Sequence, residues 1–205
     1  MSDKPPDTET RRLRAVVFDV GETLVDETRM WERAADAAGV PRFTLMGVLG
    51  GLAARGEHHD RAWSLLGIDK PSSTWKADDF YPDALPCIER LRGLGLAVGA
   101  VGNTPVEAEE ALRGHVDVLG SSGRWGVAKP ALEFFTRASA SIGTEPGRIA
   151  YVGDRVDNDV RPARRAGMFT VHVRRGPWGY LQAGREEADL RVDSLAELPE
   201  ALAGV

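Results

Sequence analysis

This chain of 205 residues has one cysteine, no net basic charge and no long apolar segment. The single cysteine, Cys87, excludes a disulfide within the chain. A formal net charge of −5 offers no basic field to a phosphate backbone, so we expect no nucleic-acid partner. No apolar run is long enough to cross a membrane, and residues 1–11 lack the apolar segment of a signal peptide. We therefore expect a cytoplasmic protein with no membrane partner.

Short apolar segments recur along the chain, and most of them alternate with helical patterns. Six are rich in valine, as strands buried on both faces are, and they cover residues 15–18, 96–101, 116–119, 149–152, 169–173 and 190–192. Helical patterns cover residues 83–94, 107–113, 132–141, 158–166 and 195–202. This alternation predicts an α/β fold, a Rossmann-like doubly wound parallel sheet covered by helices.

The connection between the first two predicted strands is unusually long. Residues 27–80 stand where a single crossover helix is usual, well beyond the ordinary length of a connection. Within them, helical patterns run to residue 38 and then over residues 43–54 and 60–66. We therefore predict a small inserted all-helical cap at residues 27–80 and a core formed by residues 15–26 and 81–205. Residues 1–14 are predicted to be a flexible tail.

Four separate segments contain residues suited to hold one metal ion and one phosphoryl group. They comprise residues 16–23, 98–104, 127–130 and 151–159. Asp19 and Asp154 each follow a predicted buried strand, so both carboxylates should lie at the carboxyl edge of the sheet. If these two strands are neighbours where the strand order reverses, they meet where such sheets bind ligands. Paired carboxylates at that point make an oxygen site suited to Mg²⁺.

Together the four segments resemble the motifs of the haloacid dehalogenase-like (HAD) superfamily, in its phosphatase-like branch with a helical cap. The resemblance extends over residues 15–202 and implies phosphoryl transfer through an aspartyl-phosphate at Asp19. The Mg²⁺ ligands that it implies are Asp19, the backbone carbonyl of Gly21, and Asp154. Asp159, or alternatively Asp157, is expected to support these ligands from a second layer around the ion.

The resemblance also implies a set of phosphate contacts. Lys129 is similar to the lysine of the family's third motif, whose ammonium neutralises the carboxylate of Asp19 and the phosphate. The family has serine or threonine where this chain has Gly102, so that hydroxyl is absent unless Thr104 supplies it. Backbone N–H groups around Gly102 and Asn103 can still approach phosphate oxygens. We therefore predict Asp19 and Lys129 as catalytic residues, and Gly102, Asn103, Thr104 and Lys129 as phosphate-binding residues.

One residue of the resembled pattern is missing. The family's phosphatases have a second aspartate where this chain has Gly21, and that aspartate protonates the leaving group and then activates water. General acid and base help of this kind is worth ~10²–10⁴-fold in rate. Glu22, the next residue, is a candidate to replace it, and a solvated residue at the mouth of the cap is the other interpretation.

The sequence thus predicts a Mg²⁺-dependent phosphatase-like hydrolase acting on a small phosphorylated metabolite. The alternatives are a catalytically impaired pseudo-phosphatase that binds a phosphorylated ligand or partner, a 2-haloacid dehalogenase, and an enzyme like phosphonoacetaldehyde hydrolase. Asp154 and Asp159 argue against the dehalogenase, which needs no metal. The hydrolase uses a cap lysine, and the only lysines of the predicted cap, Lys70 and Lys76, fall in loop-like sequence. Neither the substrate nor the oligomeric state is defined by the sequence.

Overall fold

The computed structural model describes residues 12–205, which contain one sheet of six parallel strands. The strands are β1 (Ala15–Phe18), β2 (Ala97–Gly102), β3 (Val118–Ser121), β4 (Ile149–Gly153), β5 (Phe169–Val173) and β6 (Leu190–Val192). Their order is β3-β2-β1-β4-β5-β6, so the order reverses between β1 and β4. Both of these strands are buried along their whole length. The predicted Rossmann-like doubly wound parallel sheet is therefore confirmed.

The first three α-helices of the described chain form the inserted segment after β1: α1 (Thr28–Ala37), α2 (Arg42–Ala54) and α3 (Arg61–Leu66). They enclose an apolar cluster of their own, which includes Leu45, Leu49 and Trp63. Gly67 ends α3 in the left-handed conformation with φ 69°, directly after the helical pattern predicted at residues 60–66. The cluster is completed from the sheet side by Trp178, which attaches the helices to the core. The boundaries 27–80 stay a prediction.

The remaining α-helices of the described chain flank the sheet: α4 (Ala84–Gly93), α5 (Ser122–Trp125), α6 (Leu132–Ile142), α7 (Arg161–Arg165), α8 (Gly176–Leu181) and α9 (Leu198–Ala203). Short 3₁₀ turns form at Ala77–Asp79, Val106–Leu112, Pro146–Arg148 and Arg185–Glu187. The helix predicted at residues 107–113 is thus a 3₁₀ segment. No helix among residues 12–205 has both the length and the apolar character needed to span a membrane.

The chain after β4 departs from the single helix predicted at residues 158–166. Val156–Val160 form a π-helical turn, and only Arg161–Arg165 are α-helical. Within the wide turn, Oδ2 of Asp159 accepts a hydrogen bond from the N–H of Arg155 at 3.1 Å. A Cβ on Gly153 would lie 2.4 Å from Cγ of Asp159, so the turn folds over the strand end only because residue 153 is glycine.

The start of the described chain corrects the predicted tail. Residues 1–11 of that tail lie outside the described residues. Leu13 is buried, and the N–H of Arg14 donates to the carbonyl of Arg148 at 2.8 Å. The carbonyl of Arg14 accepts from the N–H of Ala97 at 3.0 Å, which extends the pairing of β1 with β2. The prediction of a flexible tail is therefore wrong for Leu13 and Arg14, because one is buried and the backbone of the other is hydrogen-bonded on both sides.

Candidate active site

Asp19 and Asp154 lie side by side at the carboxyl edge of the sheet. Phe18 of β1 is in register with Val152 of β4, and the N–H of Asp19 donates to the carbonyl of Val152 at 2.8 Å. Asp154 follows two residues after Val152, so topology alone brings the two side chains to one point. Asp19 is 7% exposed and Asp154 is 2% exposed. Both carboxylates are therefore largely withdrawn from water.

Lys129 joins two of the buried acids. Its Nζ lies 2.6 Å from Oδ1 of Asp19 and 2.6 Å from Oδ1 of Asp159. Burial by itself lowers the pKa of Lys129, but the charges of Asp159 and Asp19 raise that pKa well above its usual value. The lysine is consequently a fixed buried cation at the edge of the sheet.

The residues expected around the metal converge on this cation. Oxygens of Asp19, Asp154 and Asp159 all lie within 4.8 Å of one another. Burial, followed by the charges of Asp159 and Asp19, raises the pKa of Asp154 well above its usual value. Burial and the charge of Asp19 raise the pKa of Asp159 to about 6, against the opposing effect of Lys129. Asp154 and Asp159 therefore resist ionising while the neighbouring carboxylates are charged.

The charge count at this point fits a divalent cation. If all three acids are ionised, as they would be around a bound cation, the ammonium of Lys129 offsets only one of their three negative charges. An all-oxygen donor set with that charge suits Mg²⁺. Oδ1 of Asp159 contacts Lys129 and Oδ2 accepts from the N–H of Arg155, so both of its oxygens already have partners. This agrees with the supporting role predicted for Asp159, and the direct coordination by Asp19 and Asp154 stays a prediction.

Gly21 lines the same cavity in a tight turn after β1. The carbonyl of Val20 accepts from the N–H groups of Leu24 and Val25 at 2.9 and 3.0 Å. Within this turn Glu22 adopts the left-handed conformation with φ 51°, which is uncommon for a residue other than glycine. The space beside Gly21 is not empty, because a Cβ on that residue would lie 2.4 Å from Oε1 of Glu27.

Glu27 is a site residue that the sequence analysis missed. It precedes α1, and its Oε2 accepts a hydrogen bond from Nε1 of Trp31 at 3.3 Å. Burial, with the charges of Glu22 and Asp19, raises the pKa of Glu27 to about 8. An acid before a predicted helix is the only sequence signal for it, and nothing there distinguishes Glu27 from the adjacent Asp26.

Glu22 is buried and held in place. The hydroxyl of Tyr81 donates to its Oε2 at 2.6 Å, and the N–H of Glu27 donates to its Oε1 at 3.1 Å. Its Cγ would lie 2.6 Å from a Cβ on Gly176, so the side chain is packed along its length. Burial raises the pKa of Glu22 to about 7, against the opposing effect of the Tyr81 hydroxyl. The interpretation of Glu22 as a solvated residue is wrong, since only 9% of it is exposed.

The predicted phosphate-binding residues fall into two groups. Asn103, Thr104 and Lys129 line the cavity. Gly102 lies behind them at the end of β2, where a Cβ would approach Val20 to 3.1 Å. Asn103 uses its side chain on the backbone of Lys129: Oδ1 accepts from the N–H at 2.8 Å, and Nδ2 donates to the carbonyl at 3.0 Å. Asn103 therefore positions the loop that carries the lysine.

The inserted helices form the opposite wall of a cavity of about 290 Å³. The ring of His59 contacts Trp31 and Trp178 with centroid distances of 5.6 and 6.0 Å. Burial and the neighbouring His58 lower the pKa of His59 to about 4, so it is neutral at pH 7. Lys70 also lines this wall, and its Nζ lies 2.7 Å from Oδ1 of Asp60. His58, His59 and Asp60 could together hold a metal ion, but the ammonium of Lys70 already contacts the carboxylate of Asp60.

Sequence comparison relates the whole chain to known hydrolases. A profile of the family described as haloacid dehalogenase-like hydrolase matches residues 13–167. The chain is 36% identical over 225 residues to a glyceraldehyde 3-phosphate phosphatase from Methanopyrus kandleri, covering 91% of this chain and 95% of that protein. It is 38% identical over 132 residues to a phosphoserine phosphatase from Thermus thermophilus, covering 60% of this chain and 51% of that protein.

Solved structures share the fold. A HAD phosphatase from Thermococcus onnurineus is 23% identical with a TM-score of 0.64, covering 94% of this chain and 99% of that chain. An L-2-haloacid dehalogenase from Xanthobacter autotrophicus is 20% identical with a TM-score of 0.66 over the same shares of the two chains. Because phosphatase and dehalogenase are matched about equally well, these likenesses concern the fold alone. The profile match and the full-length relative show that the chain belongs to the haloacid dehalogenase-like hydrolase family.

Proposed function

We propose that this hydrolase is a Mg²⁺-dependent phosphatase that cleaves a small phosphorylated metabolite through an aspartyl-phosphate at Asp19. The observation that carries the proposal is the buried cluster in which Lys129 contacts Asp19 and Asp159 while Asp154 faces the same point. The relative from Methanopyrus kandleri supports a phosphate ester as substrate, because it is named a glyceraldehyde 3-phosphate phosphatase and spans nearly the whole chain. The expected cytoplasmic location stays a prediction.

The residues of the cluster have separate roles in this reaction. Asp19 supplies the oxygen that bonds to phosphorus while the ester oxygen departs. The ammonium of Lys129 orients that carboxylate and offsets the charge of the phosphoryl group. Mg²⁺, held by Asp19, the carbonyl of Gly21 and Asp154, would neutralise further charge on the transferring group. Asn103 keeps Lys129 aligned through its two hydrogen bonds to the lysine backbone.

The cap wall limits what can reach Asp19. A cavity of about 290 Å³ accommodates a small phosphate ester and excludes a polymer. The rings of Trp31 and His59 give this wall an apolar surface with a neutral imidazole. Nζ of Lys70 lies 2.7 Å from Oδ1 of Asp60, a contact that a Schiff-base lysine would have to give up. This favours a phosphatase over an enzyme like phosphonoacetaldehyde hydrolase.

A panel of phosphate esters assayed with Mg²⁺ and with EDTA tests the proposal. The panel contains glyceraldehyde 3-phosphate, phosphoserine, phosphoglycolate and p-nitrophenyl phosphate. We expect Mg²⁺-dependent phosphate release that Asp19→Asn abolishes. Asp157→Asn is the matched control, because Asp157 pairs with Arg155 outside the cluster. Binding without turnover would favour a pseudo-phosphatase, and halide release from 2-haloacids in EDTA would favour a dehalogenase.

A further inference from the structure

A carboxyl group from the start of the inserted segment fills the space of the side chain that Gly21 lacks. A Cβ on Gly21 would lie 2.4 Å from Oε1 of Glu27 and 2.9 Å from its Cδ. We propose that Glu27 is the general acid and base of this hydrolase, in place of the aspartate absent at residue 21. The inference rests on the proposed function, since it assigns the proton transfers of that reaction.

The position of Glu27 suits contact with the reacting groups. Its side chain lines the cavity that also contains Asp19, Lys129 and Asp154. Oε2 is held by Nε1 of Trp31 at 3.3 Å, while Oε1 is the atom nearest to the missing side chain of Gly21. Oε2 is thus anchored by Trp31, and Oε1 lies beside the turn that follows Asp19.

Glu22 is a positioning residue rather than a competitor for this role. Both of its carboxyl oxygens have partners, one in the hydroxyl of Tyr81 and the other in the N–H of Glu27. The second bond fixes the backbone from which the Glu27 side chain extends. The turn after β1 therefore contributes to proton transfer indirectly, by holding Glu27 in place.

Glu27 would act twice in one turnover. As an oxygen of Asp19 bonds to phosphorus and the ester P–O bond breaks, the carboxyl of Glu27 gives its proton to the departing oxygen, which leaves as an alcohol. The resulting carboxylate then takes a proton from water as the water oxygen bonds to phosphorus. The bond between Asp19 and phosphorus breaks, and inorganic phosphate leaves. Asp19 ends as a carboxylate and Glu27 ends protonated, so both return to their starting forms.

Leaving-group dependence separates this role from a structural one. An aryl phosphate such as p-nitrophenyl phosphate releases a stable anion and needs little help from an acid, whereas an alkyl phosphate needs the proton. We expect Glu27→Gln to lower kcat/KM about 10²-fold for the best alkyl ester of the panel, and less than about tenfold for the aryl ester. The aryl ester should also give a burst of p-nitrophenol, because the phosphorylated Asp19 accumulates without a base.

Glu32→Gln, within the helix that Glu27 precedes, is the matched control. Glu32 contacts Arg42 at 3.2 Å on the surface of the cap and does not line the cavity. The same chemical change there should leave both esters within about twofold of the parent, as a surface substitution does. Retained aryl activity in Glu27→Gln shows that this variant is folded.

A side-chain swap provides a second, independent test. Gly21→Asp in the parent must displace Glu27, since the two side chains would occupy the same space. In Glu27→Ala that space is free. We therefore expect the double variant Glu27→Ala with Gly21→Asp to exceed Glu27→Ala at least about tenfold on the alkyl ester. Gly21→Asp alone should give no gain over the parent.

The outcomes distinguish the two levels of inference. If the parent releases phosphate in an Asp19-dependent way but Glu27→Gln lowers both esters equally, or leaves the alkyl ester unchanged, Glu27 is not the acid. A gain from Gly21→Asp alone, with no gain in the Glu27→Ala background, would overturn the inference as well. A parent that releases no phosphate, or an Asp19→Asn variant as active as the parent, would reject the proposed function itself.

Discussion

The two walls of the cavity hold their acids in different ways. On the sheet wall, the carboxylates of Asp19 and Asp159 share the buried ammonium of Lys129. On the cap wall and in the turn that leads to it, Glu27 and Glu22 bind neutral donors, which are the indole N–H of Trp31, the hydroxyl of Tyr81 and a backbone N–H. Neither of these glutamates forms an ion pair among residues 12–205. The sheet wall is thus organised around a cation, and the cap wall favours protonated carboxyls.

This contrast indicates a division of labour within one site. Carboxylates beside a cation suit nucleophilic attack and metal binding, whereas a carboxyl that retains its proton near neutral pH suits proton transfer. Burial raises the pKa of Glu22 to about 7 and that of Glu27 to about 8. Carboxyl groups can therefore serve as nucleophile or metal ligand and as proton donor around one cavity. The neighbouring donors decide which role each acid serves. Four substitutions test this division, and they are ordered below by the size of the expected effect.

The largest effect is expected from Lys129→Met. Removing one partner of a buried ion pair leaves uncompensated charge and typically costs about 3–5 kcal/mol. We expect the free energy of unfolding without metal to fall by about that amount, and part of the loss to be recovered in Mg²⁺. Urea unfolding with EDTA and with Mg²⁺ measures both. The control Lys70→Met removes an exposed pair with Asp60 and should cost less than about 1 kcal/mol. Equal losses in the two variants would contradict a cation-centred sheet wall.

The second prediction concerns Mg²⁺ affinity. Even supporting residues around a metal are worth about 10–100-fold in affinity, so loss of the direct ligand in Asp154→Ala should cost at least about 100-fold. Asp157→Ala should bind Mg²⁺ as the parent does, because that carboxylate pairs with Arg155. Gly21→Ala should also keep the ion, since residue 21 is proposed to coordinate through its carbonyl, although the new methyl must displace Glu27. Calorimetric titration measures all three, and unchanged binding by Asp154→Ala would disprove the site.

The sheet wall could be predicted from the sequence because strand topology determines it. Asp19 and Asp154 follow valine-rich strands that are neighbours in a doubly wound order, so their proximity depends only on that order. Lys129 was predicted through its motif, and the structure brings its ammonium between Asp19 and Asp159. The catalytic and metal-binding roles of these residues stay predictions, but their convergence on one point does not depend on loop conformation.

The cap wall could not be predicted because it depends on loop conformation and on contacts between distant residues. Glu27 meets the space beside Gly21 only because the intervening turn includes Glu22 in the left-handed conformation. That turn is fixed in part by a bridge from Val25 to Phe80 and by the hydroxyl of Tyr81. A left-handed glutamate has no sequence signature. The sequence therefore located the gap at residue 21 but not the side chain that fills it.

The third prediction is a pH dependence of stability. The folded-state pKa of Glu27 is raised from 4.5 to about 8, so between these values the folded protein retains a proton that the unfolded chain has released. The stabilisation that this retained proton gives the folded protein is fully present below pH 4.5. It is lost as the pH rises towards 8, by up to ~1.4 kcal/mol for each pH unit. Glu27→Gln should therefore flatten the decline in unfolding free energy between pH 5 and 8.

Urea unfolding in EDTA at a series of pH values measures this slope. Glu32→Gln should keep the slope of the parent, because that glutamate lies on the surface of the cap and contacts Arg42. Glu22 adds a smaller decline in the same direction, since its pKa is raised to about 7. A Glu27→Gln variant with the parent's slope would show that Glu27 is ionised throughout this range and retains no proton in the folded protein.

The smallest effect is expected from Trp31→Phe, which removes the hydrogen bond from Nε1 to Oε2 of Glu27 and keeps an aromatic ring in the cavity wall. A single hydrogen bond contributes about 0.5–1.5 kcal/mol, which corresponds to roughly a 2- to 12-fold change in rate. We expect kcat/KM to fall by that factor for an alkyl phosphate, because Oε1 of Glu27 is then less well oriented. The aryl ester should change less than twofold.

Trp63→Phe is the control: Trp63 stacks on Trp31 at 6.3 Å, and its Nε1 has no hydrogen-bond partner among the described residues. If both variants lose alkyl activity equally, packing of the cap and not the hydrogen bond to Glu27 determines the rate.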